Sequence, residues 1–180
     1  MIEAVLYGIA ASSALVIGAF LGTRWDPPRQ VTGVLLAFAS GALISALAFE
    51  LFEEAFHLGG SWRSGAGLLA GAAAFVTVDS LLDKHVAGDS GADQERSRPR
   101  GLEAAWGGPL LAAVTLDGVP ENLALGVSLF EGASLTLLVA IFFSNLPESL
   151  VGAVAMRHEE RSRREVMAVW LLCAALLTVP

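Results

Sequence analysis

The chain contains a single cysteine, Cys173, in 180 residues. A lone thiol closes no internal disulfide, so a stapled secreted scaffold and a Cys-x-x-Cys redox or zinc site are both excluded. Charge is scarce too. Only 16% of the residues are charged, against roughly a quarter in an ordinary soluble domain. Basic residues are the scarcer sign: 11 Lys and Arg stand against 18 Asp and Glu, for a net charge of −7. That balance gives no general basic surface for a phosphate backbone, so nucleic acid is excluded as a partner. No nucleotide-binding motif is present. What the chain has in abundance is apolar side chain, 54% of all residues, with a mean hydropathy of +0.63. A soluble enzyme is a poor fit. The composition predicts an all-α, polytopic helical membrane protein that is not an enzyme.

The pattern along the chain agrees. A hydrocarbon core of about 30 Å needs about 20 apolar residues in helical form. Five complete runs of that kind occupy 3–23, 31–52, 64–84, 106–128 and 132–155, and a sixth, partial run covers 165–180. The sixth reaches only about 22 Å at the helical rise, which predicts that the natural chain continues beyond Pro180. The first run has Glu3 as its only early charge and no convincing cleavage pattern, so it reads as a retained helix rather than a secretory signal. Together the runs predict one transmembrane helical domain over 1–180. Its loops are short, apart from a Gly/Ser-rich, charged and flexible linker at 85–105. Asp26-Pro27-Pro28 breaks the chain between the first two spans.

Ten of the eleven cationic residues fall in the loops after spans 1, 3 and 5; the other side of the membrane has only Arg63. The positive-inside rule then places the N-terminus outside and the linker in the cytoplasm. Trp25, Trp62 and Trp106 fall at span ends, as in an interfacial aromatic belt. Gly33, Ala37, Gly41 and Ser45 form a small-residue stripe at i+4 spacing, which predicts helix packing on that face.

Ionisable groups inside a span are expensive and usually face an interior path. Span 4 contains Asp117-Gly118-Val119-Pro120-Glu121-Asn122, and span 5 contains Ser144-Asn145-Leu146-Pro147-Glu148-Ser149. Both read polar-x-x-Pro-Glu at matching depth, and a short turn near Glu131-Gly132 would bring them together near the midplane. Asp117 and Glu121 stand one turn apart on one helix face, as do Ser144 and Glu148. Each proline removes a donor and frees the carbonyl four residues earlier, at Leu116 and Phe143. One such proline alone would be a kink. Two, each with a glutamate, predict an oxygen-rich cage for a divalent cation, whose charge would relieve repulsion among the acids. The metal ligands predicted are Asp117, Glu121, Asn145, Glu148 and Ser144, with Asn122 as a substitute donor.

Other acids lie along the route. Glu50, Glu53 and Glu54 sit near the outer end of span 2, where Glu50 and Glu54 are candidates for an acidic entrance. Asp79 and Asp83, toward the inner end of span 3, are candidates for the exit. His57, His85 and His158 lie in or beside loops with no partner at metal spacing and read as surface histidines.

The paired motifs of spans 4 and 5 resemble those of the ZIP family of divalent-metal transporters, in which each helix typically carries His-Asn-x-Pro-Glu-Gly or a close variant. Ala48-Phe49-Glu50-Leu51-Phe52-Glu53-Glu54-Ala55 resembles the acidic close of that family's second helix. The resemblance implies an eight-helix bundle, of which this chain would hold helices 1 to 5 and part of 6, often dimeric, in a bacterial plasma (inner) membrane. It also implies a metal centre between helices 4 and 5, where Glu121 and Glu148 match outright. Asp117 and Ser144 replace the usual histidines, and Gly118 and Asn145 stand at the usual asparagines. Without imidazole the donors are all oxygen, so Zn, Mn, Fe(II) and Cd are all candidate substrates, with little preference for zinc. The metal would be cargo rather than a bound cofactor, and the lipid bilayer and a second copy of the chain would be the partners. Rival readings are a transport-inactive, structural or proton-conducting subunit, and an intramembrane aspartyl protease using Asp79 and Asp117. The protease's usual Tyr-Asp and Gly-x-Gly-Asp contexts are missing.

The topology is directly testable. A cysteine placed by Ser90→Cys should be shielded from a membrane-impermeant thiol reagent applied to intact cells and should react once the membrane is opened. Labelling from outside would invert the orientation.

Overall fold

The computed structural model describes residues 2–87, 108–129 and 135–178. It is helical throughout, with no strand among the described residues. In chain order these are α1 (Ile2–Gly22), α2 (Arg29–Ala46), a π-helical segment (Leu47–Phe52), α3 (Glu53–Ala87), α4 (Gly108–Ser128), α5 (Leu135–His158) and α6 (Arg163–Thr178). Three stretches are long and apolar enough to cross a membrane: Val5–Gly22, Arg29–Val78 and Leu135–His158. Large apolar side chains such as Leu6, Val34, Ile44, Leu69, Leu123 and Leu135 stand more than half exposed. In water that display would drive aggregation; against lipid it is the expected surface.

Local sequence sets the breaks. Pro28, at φ −56° and ψ 145°, precedes the first turn of α2, where a missing donor and a fixed φ help begin a helix a few residues on. The next 50 residues stay helical with one interruption, at Gly60, whose φ of 71° and ψ of 169° are open to glycine and strained for other residues. The hydroxyl of Ser64 crosses that break, donating to Ala55 O at 2.7 Å with Gly60 O at 3.1 Å. The interval 53–63, expected as a loop between spans, is therefore helix with a single hinge point. Beyond Gly60, every described side chain through Leu81 except Ser64 is exposed.

The core lies on α1, α5 and α6. One cluster joins Leu15 and Ala19 of α1 to Ala153 and Met156 of α5 and to Val166, Trp170, Cys173 and Leu177 of α6. A second joins Ala11 of α1, Ala46 of α2 and Leu125 of α4 to Leu137, Ala140 and Ile141 of α5. Helices α1 and α5 touch along most of their length because α1 presents almost no side chain there. A Cβ on Gly18 would overlap Ser149 Oγ and Leu146 O, and one on Gly22 would overlap Leu150 O and Ala153. Gly18 and Gly22 are a small-xxx-small pair, the pattern that lets membrane helices approach closely.

The stripe expected to pack in span 2 does not do so. Gly33, Ala37, Gly41 and Ser45 are all exposed, and nothing lies within 4 Å of where a Cβ would sit on Gly33 or Gly41. The buried positions of α2 are Ala39 and Ala46, on another face.

Both arginine-rich ends of the bundle meet. Arg157 Nη1 donates to Gly22 O at 2.9 Å, and His158 Nε2 lies 2.7 Å from Asp26 Oδ2. The α1–α2 and α5–α6 connections therefore share one end. There Glu160 takes a left-handed φ of 62° after α5. Ser162 and Glu165 then open α6 with a reciprocal capping box, Ser162 N–H to Glu165 Oε2 at 2.9 Å and Glu165 N–H to Ser162 Oγ at 3.3 Å.

Gly18→Val should lower stability by about 1–3 kcal/mol through overpacking, read as a fall in thermal midpoint in detergent. Gly33→Val, on the open face, should leave the midpoint unchanged. Equal effects would contradict the assignment of the packed face.

Candidate metal-binding site

Both proline motifs lie within helices. Pro120 is inside α4 and Pro147 inside α5. At each, the ring deletes one ladder hydrogen bond and leaves a carbonyl without its usual partner, at Leu116 and Phe143. Glu121 and Glu148 follow directly, and both are half-buried. The structure therefore places two carboxylates, each just after a proline, in partly sheltered positions on two apolar helices.

The surrounding side chains divide between two neighbourhoods. On α5, Asn145 is buried at 3% exposure and Ser144 is half-buried. Ser149 is fully enclosed; its hydroxyl donates to Asn145 O at 2.8 Å, with Leu146 O at 3.1 Å and Ala14 O of α1 at 3.4 Å also in reach. Glu148 lies within electrostatic range of Cys173 on α6. On α4, the Asn122 amide nitrogen donates to Gly118 O at 2.8 Å, so this side chain is engaged by its own helix. It lines a small cleft with Gly8 of α1 and Leu177 and Thr178 of α6. Asn122 therefore opens toward α1 and α6.

Gly118 also has a structural explanation. A Cβ there would overlap the methyl groups of Leu177. The position lacks a side chain because α6 packs into it, and no amide could be accommodated without moving Leu177.

The two motif helices have different principal neighbours. Among the described residues, α4 packs mainly on α6, and α5 on α1 and α2, and the two touch each other lightly, around Leu125. Among the described residues, no group of three or more His, Cys, Asp or Glu side chains converges. Asp117, the third acid of the expected set, lies on α4 one turn before Glu121, and its side chain falls outside the described residues, as do those of Asp79 and Asp83. Trp106 and most of the linker, residues 88–105, also fall outside them.

Toward the other end, Glu50 sits in the π-helical segment and Glu54 one turn on in α3; both are half-buried. π-Helical turns recur at functional sites because the extra residue re-aims the side chains around it. Glu53 pairs at 3.9 Å with exposed His57, and His158 is an exposed partner of Asp26.

Sequence reasoning passed over Ser149 and the glycines of α1. The signal was there: Gly18-Ala19-Phe20-Leu21-Gly22 is a GxxxG pattern in an apolar run. Compared with protein-family models, curated proteins and solved structures, the chain matches none.

Gly118→Asn, which would put back an amide, should destabilise the protein by about 1–3 kcal/mol. The penalty should shrink in a Leu177→Ala background, where the methyl groups are gone. A thermal-unfolding double-mutant cycle reads this coupling, and strict additivity would rule out the Gly118–Leu177 contact as the cause.

Proposed function

We propose that the chain carries divalent metal cations across a bacterial plasma membrane into the cytoplasm, as part of a ZIP-type transporter. The observation that carries this reading is the pair of half-buried glutamates, Glu121 and Glu148, each directly following a proline within an apolar helix. A charge at the centre of a membrane helix costs about 2.5–3.5 kcal/mol on insertion scales. Two such costs at matched positions, beside backbone carbonyls freed by proline, are best repaid by a cation.

In this reading Glu121, Glu148 and Asp117 supply the charge, Ser144 and Asn145 supply neutral oxygens, and Asn122 is held in reserve by Gly118 O. Glu50 and Glu54 raise the local cation concentration at the outer end, and Asp79 and Asp83 receive the ion at the inner end. An inside-negative potential favours inward movement of a divalent ion by about 4.6 kcal/mol per 100 mV, which needs no nucleotide. The shared end of the α1–α2 and α5–α6 connections, with its arginines, fits a cytoplasmic face. A symmetric dimer is part of the proposal. A transport-inactive subunit of the same architecture is the second reading, favoured by the light contact between α4 and α5.

Competition uptake of Zn, Mn, Fe(II) and Cd into cells or proteoliposomes decides between them. Glu121→Gln and Glu148→Gln should each reduce uptake of every metal by about tenfold or more, equivalent to about 1.4 kcal/mol of lost binding. Asp117→His should shift the preference toward zinc, because imidazole is the softer donor. Uptake by the intact protein no higher than in empty controls would leave the second reading standing.

A further inference from the structure

The flank of α5 that faces α2 carries a second feature, separate from the proline motifs. Phe38 and Ala42 of α2, Phe49 and Glu50 of the π-helical segment and Val139 and Phe143 of α5 line a groove of about 330 Å³. Its floor is alanine and its walls are mainly aromatic and aliphatic, with the hydroxyl residues Ser45 and Thr136 also in the lining. Phe38 and Phe143 close one end edge to face, with ring centroids 6.2 Å apart and planes at 84°. Phe38, Phe49 and Val139 are 61%, 74% and 50% exposed, and all three belong to stretches apolar enough to cross a membrane. The groove therefore opens toward the hydrocarbon.

Its length identifies the occupant. Phe38 and Glu50 are twelve residues apart along one helical path, about 18 Å at the helical rise. Half of a 30 Å hydrocarbon core is about 15 Å, so the groove runs the depth of one leaflet. A bare ion would meet one carboxylate, Glu50, and two hydroxyl residues, Ser45 and Thr136, in an otherwise apolar lining. A hydrocarbon chain would gain apolar contact along the whole length. At the outer end stands the half-buried carboxylate Glu50, with Glu54 one turn beyond, and among the described residues no Lys, Arg or His lines the groove. That mouth repels an anionic headgroup and attracts an ammonium group.

We infer that this groove holds one phospholipid acyl chain and that Glu50 at its mouth selects a lipid whose headgroup carries an ammonium, phosphatidylethanolamine rather than phosphatidylglycerol. The π-helical turn contributes by placing an acid and a large aromatic, Glu50 and Phe49, side by side at the point where headgroup and chain part company. The site shares Glu50 with the proposed acidic entrance but needs no metal, and it would exist in a transport-inactive subunit.

The test uses the full chain, delipidated in detergent and re-equilibrated with equimolar dioleoyl phosphatidylethanolamine and dioleoyl phosphatidylglycerol, with retained lipid counted by native mass spectrometry. The intact protein should keep about one lipid per chain, enriched about fivefold in phosphatidylethanolamine, the ratio expected for one charge near a membrane surface. Glu50→Gln should keep the lipid and lose the enrichment. Ala42→Trp should displace the lipid by filling the groove; Val139→Trp does the same from an exposed position that leaves the core packing intact. Equal retention of both lipids by the intact protein, or undiminished retention in a folded groove-filling variant, would overturn the proposal. A second copy of the chain seated in the groove would instead trap Phe49→Cys as a disulfide-linked dimer and would overturn it equally.

Discussion

The approach of α1 to α5 through Gly18 and Gly22 is the constraint from which the remaining packing follows. With no side chain at these two positions, the backbones come close enough for Ser149 to be sealed against α1 and for Arg157 to reach Gly22 O. The inner face of α5 is then occupied, and α6 is left to cover its next flank. It does so with Trp170 set over Gly152, a third place where a missing Cβ makes room for a neighbour. Lipid offers no hydrophobic drive for one apolar helix to seek another, so close van der Waals contact between small residues carries the association. Glycine lets the backbones of α1 and α5 approach, while Leu15, Trp170 and Leu177 fill the core beside that contact.

That arrangement divides the molecule into two kinds of surface. α1, α5 and α6 bury residues on one another, whereas α3 beyond Gly60 shows nearly all of its described side chains to the surroundings. Leu68, Leu69 and Val76 are each more than 60% exposed, an apolar display of the kind that meets lipid or a partner chain. An exposed Leu-rich helix in water would collapse onto the bundle; in a bilayer it has no reason to.

How much of this was legible in the sequence depends on what each feature needs. Helical character and apolar length follow from composition averaged over about 20 residues, so the all-helical class and the apolar stretches Val5–Gly22, Arg29–Val78 and Leu135–His158 were visible from hydropathy. The Pro-Glu repeat was visible because it is a local pattern with a chemical cost attached. Which face of a helix is packed was not. The i+4 stripe of α2 and the GxxxG pair of α1 look alike on paper, and only the arrangement of neighbours shows that Gly41 faces open space while Gly18 meets Ser149. Gly60 was hidden for a different reason. It lies in Leu58-Gly59-Gly60-Ser61, which reads as a loop, although helix resumes on either side of one residue with positive φ. Gly118 was read as a lost ligand because the sequence cannot show that Leu177, far along the chain, takes up the space.

The same packing gives the two carboxylates different footings. Glu148 rides on a helix fixed to α1 by glycine contacts and a buried serine, and Glu121 on a helix whose main support is α6. Among the described residues their helices meet through one small cluster, Leu125 of α4 against Leu137, Ala140 and Ile141 of α5. If a divalent ion bridges the two glutamates, as proposed, it adds an attraction between α4 and α5, which among the described residues touch less extensively than α1 and α5 do. An attraction placed there changes the α4–α5 relation far more than it changes the α1–α5 spine, which is already close-packed. A cargo-dependent movement would then be concentrated between the two proline-bearing helices, with α1 and α5 as the fixed frame. Proline serves that geometry twice, by exposing a carbonyl to the ion and by removing one ladder bond that would otherwise stiffen the helix at the level of the ligand.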